Sequence, residues 1–338
     1  MMTVDSLYEK LKMIQFGEMP EDNLRSICEH YLPKVNEIEE LKKQTNTIIL
    51  AHSYVKSNII YSVSDYVGDS YELSKNARDA KEKRIVFAAV RFMGETAKIL
   101  SPDKDVLIPG TDPACSLADS ITGEDVRQLK QKFPDYAFLC YINTNADVKA
   151  ECDACVTSSN VYNIVEKYPS DKIYFVPDRL MGQNVIDEMQ KRGVKKDIKV
   201  WDGTCYVHEE YDPSLVDALR EQYDDLTVMV HPECGPSVLE KADFVGSTSQ
   251  LYDFVKQRKD GHFLMLTECG LISRIEAELP GRKFVGSCSL CKYMKSNTLD
   301  GILRVLKSPV PADYVHIDAE VQDRALNCIN RMFEIAES

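Results

Sequence analysis

Long apolar runs are missing from this 338-residue chain: no stretch of about 18 or more consecutive apolar residues occurs, which excludes a membrane-spanning helix. The opening segment, Met1 to Lys12, mixes acids and bases and lacks the apolar centre of a secretory signal, so a cytoplasmic location is expected. Basic residues are outnumbered: 41 Lys and Arg face 54 Asp and Glu, a formal charge of -13, and no basic block is present to grip a phosphate backbone. Nucleic acid and membrane are therefore not expected partners. The excess of acid solvates a surface and points to no particular substrate.

Cysteine, by contrast, is abundant. Eleven thiols, an odd number in a chain without a secretory signal, argue against a disulfide framework. They leave buried inert thiols for most and a soft-metal or iron–sulfur site for a few. At 44% hydrophobic residues, the chain has enough apolar material for a core in each of two or three domains.

Short β-branched or aromatic runs, Thr47 to Leu50, Tyr136 to Leu139 and Thr227 to Val230, read as buried strands. Helical stretches such as Tyr71 to Ala80 and Tyr252 to Gln257 intervene, and strand–helix alternation predicts parallel sheets. A self-similarity with a period near 90 residues runs through the chain. The first strands end in Ala-His52-Ser-Tyr54, Cys-Tyr141-Ile-Asn143 and Val-His231-Pro-Glu233, offset by 89 and 90. Hydroxyl residues follow at Ser70, Ser158 and Thr248, offset by 88 and 90. A third strand leads to an expected glycine turn at Gly94, Gly182 and Gly270, and the fourth runs into Cys115, Cys205 and Cys291.

Three such units predict three similar α/β domains, each a short parallel sheet with helices on both faces, around a pseudo-threefold axis. Equivalent strand ends then meet at one junction, where the active site of a parallel sheet belongs. The boundaries expected are an N-terminal helical segment 1–37, repeats 38–122, 123–210 and 211–296, and a C-terminal helical segment 297–338 packing back on the body.

Cys115, Cys205 and Cys291 share no CxxC spacing, so their signal is the repeat alone. Three thiolates suit three irons of a [4Fe–4S] cluster, leaving the fourth iron open as a Lewis acid. The plain alternative is three buried thiols that fall alike. The remaining eight cysteines do not recur at one repeat position and read as mostly structural, although Cys152/Cys155 and Cys288/Cys291 are CxxC pairs that leave a zinc site or redox pair open.

Ser70, Ser158 and Thr248 read either as helix N-caps or as anion-binding groups at helix ends aimed at the axis. His52, Tyr141 and His231 share one repeat position; Tyr54, Asn143 and Glu233 share the position two residues on. Such groups supply hydrogen bonds and proton transfer, with Glu233, Tyr54 and His231 the expected proton carriers. His208, three residues after Cys205, reads either as a neighbour of the cluster or as the start of the next unit. Asp69, Arg91 and Glu95 read equally well as surface charges.

With these motifs in order, the chain resembles the quinolinate synthase (quinolinate synthetase A protein) family over about Ile38 to Ile335. The resemblance rests on Ala-His52-Ser-Tyr54, Val67-Gly-Asp-Ser70, Phe92-Met-Gly-Glu-Thr-Ala-Lys-Ile-Leu100, Cys115-Ser-Leu-Ala-Asp119, Tyr141-Ile-Asn143, Thr157-Ser-Ser-Asn160, Trp201-Asp-Gly-Thr-Cys205-Tyr-Val-His208, His231-Pro-Glu-Cys234 and Gly246-Ser-Thr-Ser249. It implies cluster ligands at Cys115, Cys205 and Cys291, and substrate contacts at His52, Tyr54, Ser70, Tyr141, Asn143, Ser158, His231, Glu233 and Thr248. It further implies condensation of iminosuccinate with dihydroxyacetone phosphate to quinolinate, phosphate and two waters in NAD biosynthesis, coupled to an L-aspartate-oxidising enzyme.

The sequence departs from the family pattern at Val55, Arg91 and Lys292, where many members have Gln, His and Pro. The missing proline beside Cys291 raises Cys288 as a competing ligand. Another iron–sulfur hydro-lyase of the same architecture and a non-catalytic iron–sulfur sensor are the alternative readings.

Overall fold

The computed structural model describes residues 1–14 and 20–337. Two helices, α1 (Val4–Leu11) and α2 (Glu21–Gln44), precede a first unit of β1 (Thr47–His52), α3 (Ser57–Ser62), β2 (Tyr66–Gly68), α4 (Ser70–Asp79), β3 (Arg84–Ala88), α5 (Arg91–Leu100) and β4 (Asp105–Leu107). The second unit comprises α6 (Gly123–Lys132), β5 (Ala137–Tyr141), α7 (Ala146–Glu151), β6 (Ala154–Val156), α8 (Val161–Lys167), β7 (Lys172–Val176), α9 (Arg179–Lys191), β8 (Asp197–Val200) and α10 (Tyr206–Glu209). The third holds α11 (Pro213–Gln222), β9 (Leu226–Val230), α12 (Pro236–Leu239), β10 (Phe244–Val245), α13 (Thr248–Lys256), β11 (His262–Leu266), α14 (Cys269–Glu278), β12 (Lys283–Phe284) and α15 (Lys292–Lys295). Helices α16 (Leu299–Lys307) and α17 (Ala319–Glu337) close the chain.

The three sheets have one topology. Their strand orders are β2-β1-β3-β4, β6-β5-β7-β8 and β10-β9-β11-β12, and every pair of neighbours is parallel. The central strands explain why: Ile48 to Ala51, Phe138 to Tyr141 and Val228 to Val230 are buried without alternation, as strands covered on both faces require. The chain is thus an α/β protein built from three like sheets. None of the helices described is long and apolar enough to cross a membrane.

An aspartate fixes the register inside each unit. Asp65, Asp153 and Asp243 accept from the amides of Ile49, Phe138 and Val228 at 2.8, 2.7 and 2.8 Å. Their own amides donate back to the carbonyls of the same three residues at 2.9, 2.8 and 2.8 Å. These reciprocal pairs seat the second strand beside the first and aim the loop that carries the hydroxyl residue.

The expected glycine turns are not turns. Gly94, Gly182 and Gly270 lie in the first turns of α5, α9 and α14, where a methyl group would collide with Ile108, Val200 and the Tyr54 backbone respectively. Glycine is needed there for close packing of a helix on its neighbours, not for a left-handed backbone.

Candidate active site

A cavity of about 70 Å³ opens where loops of the three units meet. It brings together every residue singled out by the repeat: Cys115, Cys205 and Cys291; His52, Tyr141 and His231; Tyr54, Asn143 and Glu233; and Ser70, Ser158 and Thr248.

The three cysteine loops are held by one device used three times. The amide of the first residue of the helix after the third strand donates to the carbonyl two residues before the cysteine. The pairs are Arg91 to Pro113 at 2.7 Å, Arg179 to Gly203 at 2.7 Å and Cys269 to Ser289 at 3.0 Å. In the third unit Glu268 adds to this, accepting from the Cys291 amide at 3.1 Å while pairing with Lys295 at 3.0 Å. Its counterpart Asp178 is fully buried with Oδ2 unpartnered, and burial together with the nearby Glu233 carboxylate pushes it well above the usual carboxylate range.

Backbone amides of Leu117 and Ala118 reach the Cys115 sulfur, and those of Tyr293 and Met294 reach that of Cys291. Burial raises all three thiols, Cys115 to about 12, and their neighbouring sulfurs raise Cys115 and Cys205 further. Three such thiols become thiolates only against a strong positive charge. Sulfur donors from three loops, with amides oriented toward two of them, fit an iron–sulfur cluster held by three cysteines.

Two cysteines depart from expectation. Cys269 and Cys288 form a disulfide, with Cα atoms 5.2 Å apart, although a reduced chain was expected. The same amide bond that pins Ser289 to the start of α14 draws the two residues side by side. Cys288 therefore offers no free thiol to compete with Cys291.

Opposite the cysteines lies a buried polar chain. The Tyr141 hydroxyl donates to Glu233 Oε1 at 2.6 Å, and His208 Nδ1 stands 3.1 Å from Oε2. His208 Nε2 is 3.1 Å from Thr267 Oγ1, which is 2.9 Å from the Tyr54 hydroxyl, itself 2.8 Å from Thr248 Oγ1. Although burial disfavours its charge, Glu233 is held down to about 2 by His208, His231 and the Tyr141 hydroxyl, so it is ionised. An ionised carboxylate accepts, so His208 Nδ1 carries the proton of that contact, while the direction of the contacts beyond Nε2 follows from whether the ring holds a second proton.

The other two histidines are neutral. Their Nδ1 atoms accept amides two residues on, Tyr54 to His52 at 3.2 Å and Glu233 to His231 at 3.4 Å, leaving Nε2–H as the free donor. Burial first, then Lys295 and Arg274 for His52 and the His208 ring for His231, lowers both to about 3.

The N-cap reading of the hydroxyl residues does not hold. Asp69 caps α4 and Ser247 caps α13, so Ser70 and Thr248 occupy the first helical position, while Asn160 precedes α8 and leaves Ser158 in the turn before it. The three hydroxyls are free of capping and line the cavity. The helix ends are not equivalent anion sites, however, because the Asp69 carboxylate takes the Tyr71 and Glu72 amides, each at 3.0 Å.

His208 and Thr267 complete the site and are absent from the repeat pattern. Among the described residues, Cys205, His208 and Glu233 are the group whose potential ligand atoms all lie within 4.8 Å of one another. Arg91 is exposed, whereas Asp69 caps α4 and Glu95 accepts the Ala146 amide at 2.8 Å.

Comparison with known proteins matches residues 36–334 to the family model described as quinolinate synthetase A protein. The chain is 42% identical over 307 residues to the quinolinate synthase of Sinorhizobium fredii, covering 91% of this chain and 84% of that protein. It is 41% identical to that of Caulobacter vibrioides over 90% of this chain and 82% of the relative. The Caldicellulosiruptor bescii quinolinate synthase is 41% identical, with 89% and 97% covered.

Proposed function

Since the chain belongs to the quinolinate synthetase A protein family and is a quinolinate synthase of NAD biosynthesis, we propose that its cavity condenses iminosuccinate with dihydroxyacetone phosphate, releasing phosphate and two waters. The observation that carries this reading is the junction itself, where three thiols face an ionised Glu233 tied through His208 and Thr267 to Tyr54.

Cys115, Cys205 and Cys291 hold a [4Fe–4S] cluster, which when bound supplies a Lewis acid at its one iron without a cysteine. Glu233 is the base: fixed by Tyr141 and His208, it takes a proton from the carbon that must enolise. Tyr54 gives a proton to the departing hydroxyl and regains it from the protonated Glu233 through His208 and Thr267. His52 and His231, as neutral Nε2–H donors, orient substrate oxygens with Asn143. Ser70, Ser158 and Thr248 hold carboxylate and phosphate oxygens. Burial of the polar chain keeps bulk water from the imine, which water would hydrolyse. That lability calls for a supplier of iminosuccinate close at hand, an enzyme that oxidises L-aspartate.

The test is to give anaerobically reconstituted protein iminosuccinate and dihydroxyacetone phosphate and to follow quinolinate. Absence of quinolinate with dehydration of another hydroxy acid would replace the reading by a hydro-lyase.

A further inference from the structure

Four thiols outside the active site meet in the core of the second unit. Cys140 on β5 and Cys155 on β6 are direct register partners across parallel strands, so their side chains share a face. Cys152 ends α7 three residues before Cys155. Cys328 arrives from α17, and its sulfur lies 3.6 Å from that of Cys140. Cys152 and Cys155 also act on the Cys140 thiol as side-chain neighbours. None of the four is more than 8% exposed.

A second observation concerns charge. Lys149, fully buried beside this group, donates to the carbonyls of Ile142 (2.9 Å) and Thr144 and, among the described residues, forms no ion pair with a carboxylate. The buried Glu95 carboxylate lies in its field, and further negative charge placed near a buried cation lowers its cost. The same field acts on the Cys140 sulfur.

We propose that Cys140, Cys152, Cys155 and Cys328 form a structural site for one thiophilic dication, zinc by its tetrahedral preference for sulfur. Binding exchanges the four thiol protons for the cation and leaves a doubly negative centre, one charge of which Lys149 offsets. Zinc–sulfur bonds of about 2.3 Å set neighbouring sulfurs roughly 3.8 Å apart, close to the Cys140–Cys328 spacing of 3.6 Å. Only Cys140 and Cys328 are already at this spacing and no three of the four sulfurs lie within 4.8 Å of one another, so binding has to draw Cys152 and Cys155 toward that pair.

The site would clamp α17 to the strand pair that leads into the active site. Cys140 precedes Tyr141, whose phenol fixes Glu233, and β6 runs on to Ser158.

The test is zinc analysis of anaerobically purified, cluster-loaded full-length protein, with absorption spectroscopy at the zinc edge. About one zinc per chain with four sulfur neighbours near 2.3 Å is expected. Zinc should persist in Cys115→Ala, which removes a cluster ligand, and fall at least tenfold in Cys155→Ala and Cys328→Ala. The edge spectrum of the unmutated protein answers the question even where a variant fails to fold. Protein that holds no zinc after zinc chloride treatment and desalting overturns the proposal. So does a zinc shell containing nitrogen or oxygen, or zinc lost from Cys115→Ala but kept in Cys155→Ala.

Discussion

The Glu233 carboxylate is held by His208, whose Nδ1 lies 3.1 Å from Oε2, and the charge on this buried acid depends on that contact. Burial alone would raise Glu233; the imidazole contributes the largest opposing effect and the group rests at about 2. The base form is therefore complete at every pH well above 2, and the pH profile of kcat/KM should show no acid limb from Glu233. In His208→Gln the carboxylate loses that support, and an acid limb should enter at higher pH. A His208→Gln profile that superimposes on the original would refute the assignment. Glu233→Gln should lower kcat by about 10²- to 10⁴-fold, the usual worth of a positioned base, with iron and sulfide content unchanged.

The disulfide decides between two neighbouring cysteines. Because Cys288 is bonded to Cys269, Cys291 alone in that loop presents a thiol to the cavity. Cys291→Ala should reduce iron and sulfide to a small fraction of the unmutated level after anaerobic reconstitution. Cys288→Ala should keep them. Equal losses in the two variants would mean that the ligand loop had been misassigned.

What sequence reading reached, and what it did not, follows the symmetry. Residues that recur in each unit were legible because three copies of one strand end must converge if the units pack alike. His208 falls at the repeat position of Ala118 and Met294, and Thr267 at that of Ala89 and Pro177, so neither repeats. They serve the asymmetric part of the chemistry, where one unit supplies the base. Gly94 and Gly182 share the fourth position of their helices while Gly270 is the second residue of its own, and none is a turn, since the steric need that selects them comes from Ile108, Val200 and Tyr54, distant in sequence. The Cys269–Cys288 bond was equally hidden, because a strand-like bridge between Glu268 and Ser289 forms only in the folded unit.

Those glycines give a prediction that separates stability from catalysis. A Cβ at position 270 would sit 2.8 Å from the Tyr54 Cα, and backbone cannot swing aside as a side chain can. Gly270→Ala should therefore displace the Tyr54 hydroxyl and cut kcat at least tenfold. At Gly94 the obstacle is the flexible end of Ile108, so Gly94→Ala should cost about 1–3 kcal/mol of stability while leaving kcat within a few-fold. Denaturant midpoints and kcat measured on both variants check the contrast.

Acid should weaken the cluster-free protein through its buried histidines, and the sign follows from their shifts. His52 and His231 titrate at about 3 in the folded chain and at 6.5 when unfolded. Between those values the unfolded chain binds protons that the folded chain refuses, so stability falls as pH drops from 6.5 toward 3. Each histidine contributes a slope of up to about 1.4 kcal/mol per pH unit. Glu233 works in the same direction but in a lower window, from 4.5 down to about 2. Urea unfolding between pH 6.5 and 4.5 reads the histidines against the opposite contribution of the raised carboxylates Asp178, Glu95 and Glu268, so the difference between variant and unmutated slopes is the quantity to compare. His52→Gln and His231→Gln should each remove about one proton from the slope, because glutamine can donate a hydrogen bond into the cavity but cannot titrate. An unchanged slope in both variants would mean that the imidazoles accept protons in the folded state, and the neutral Nε2–H donors assigned to the site would have to be abandoned.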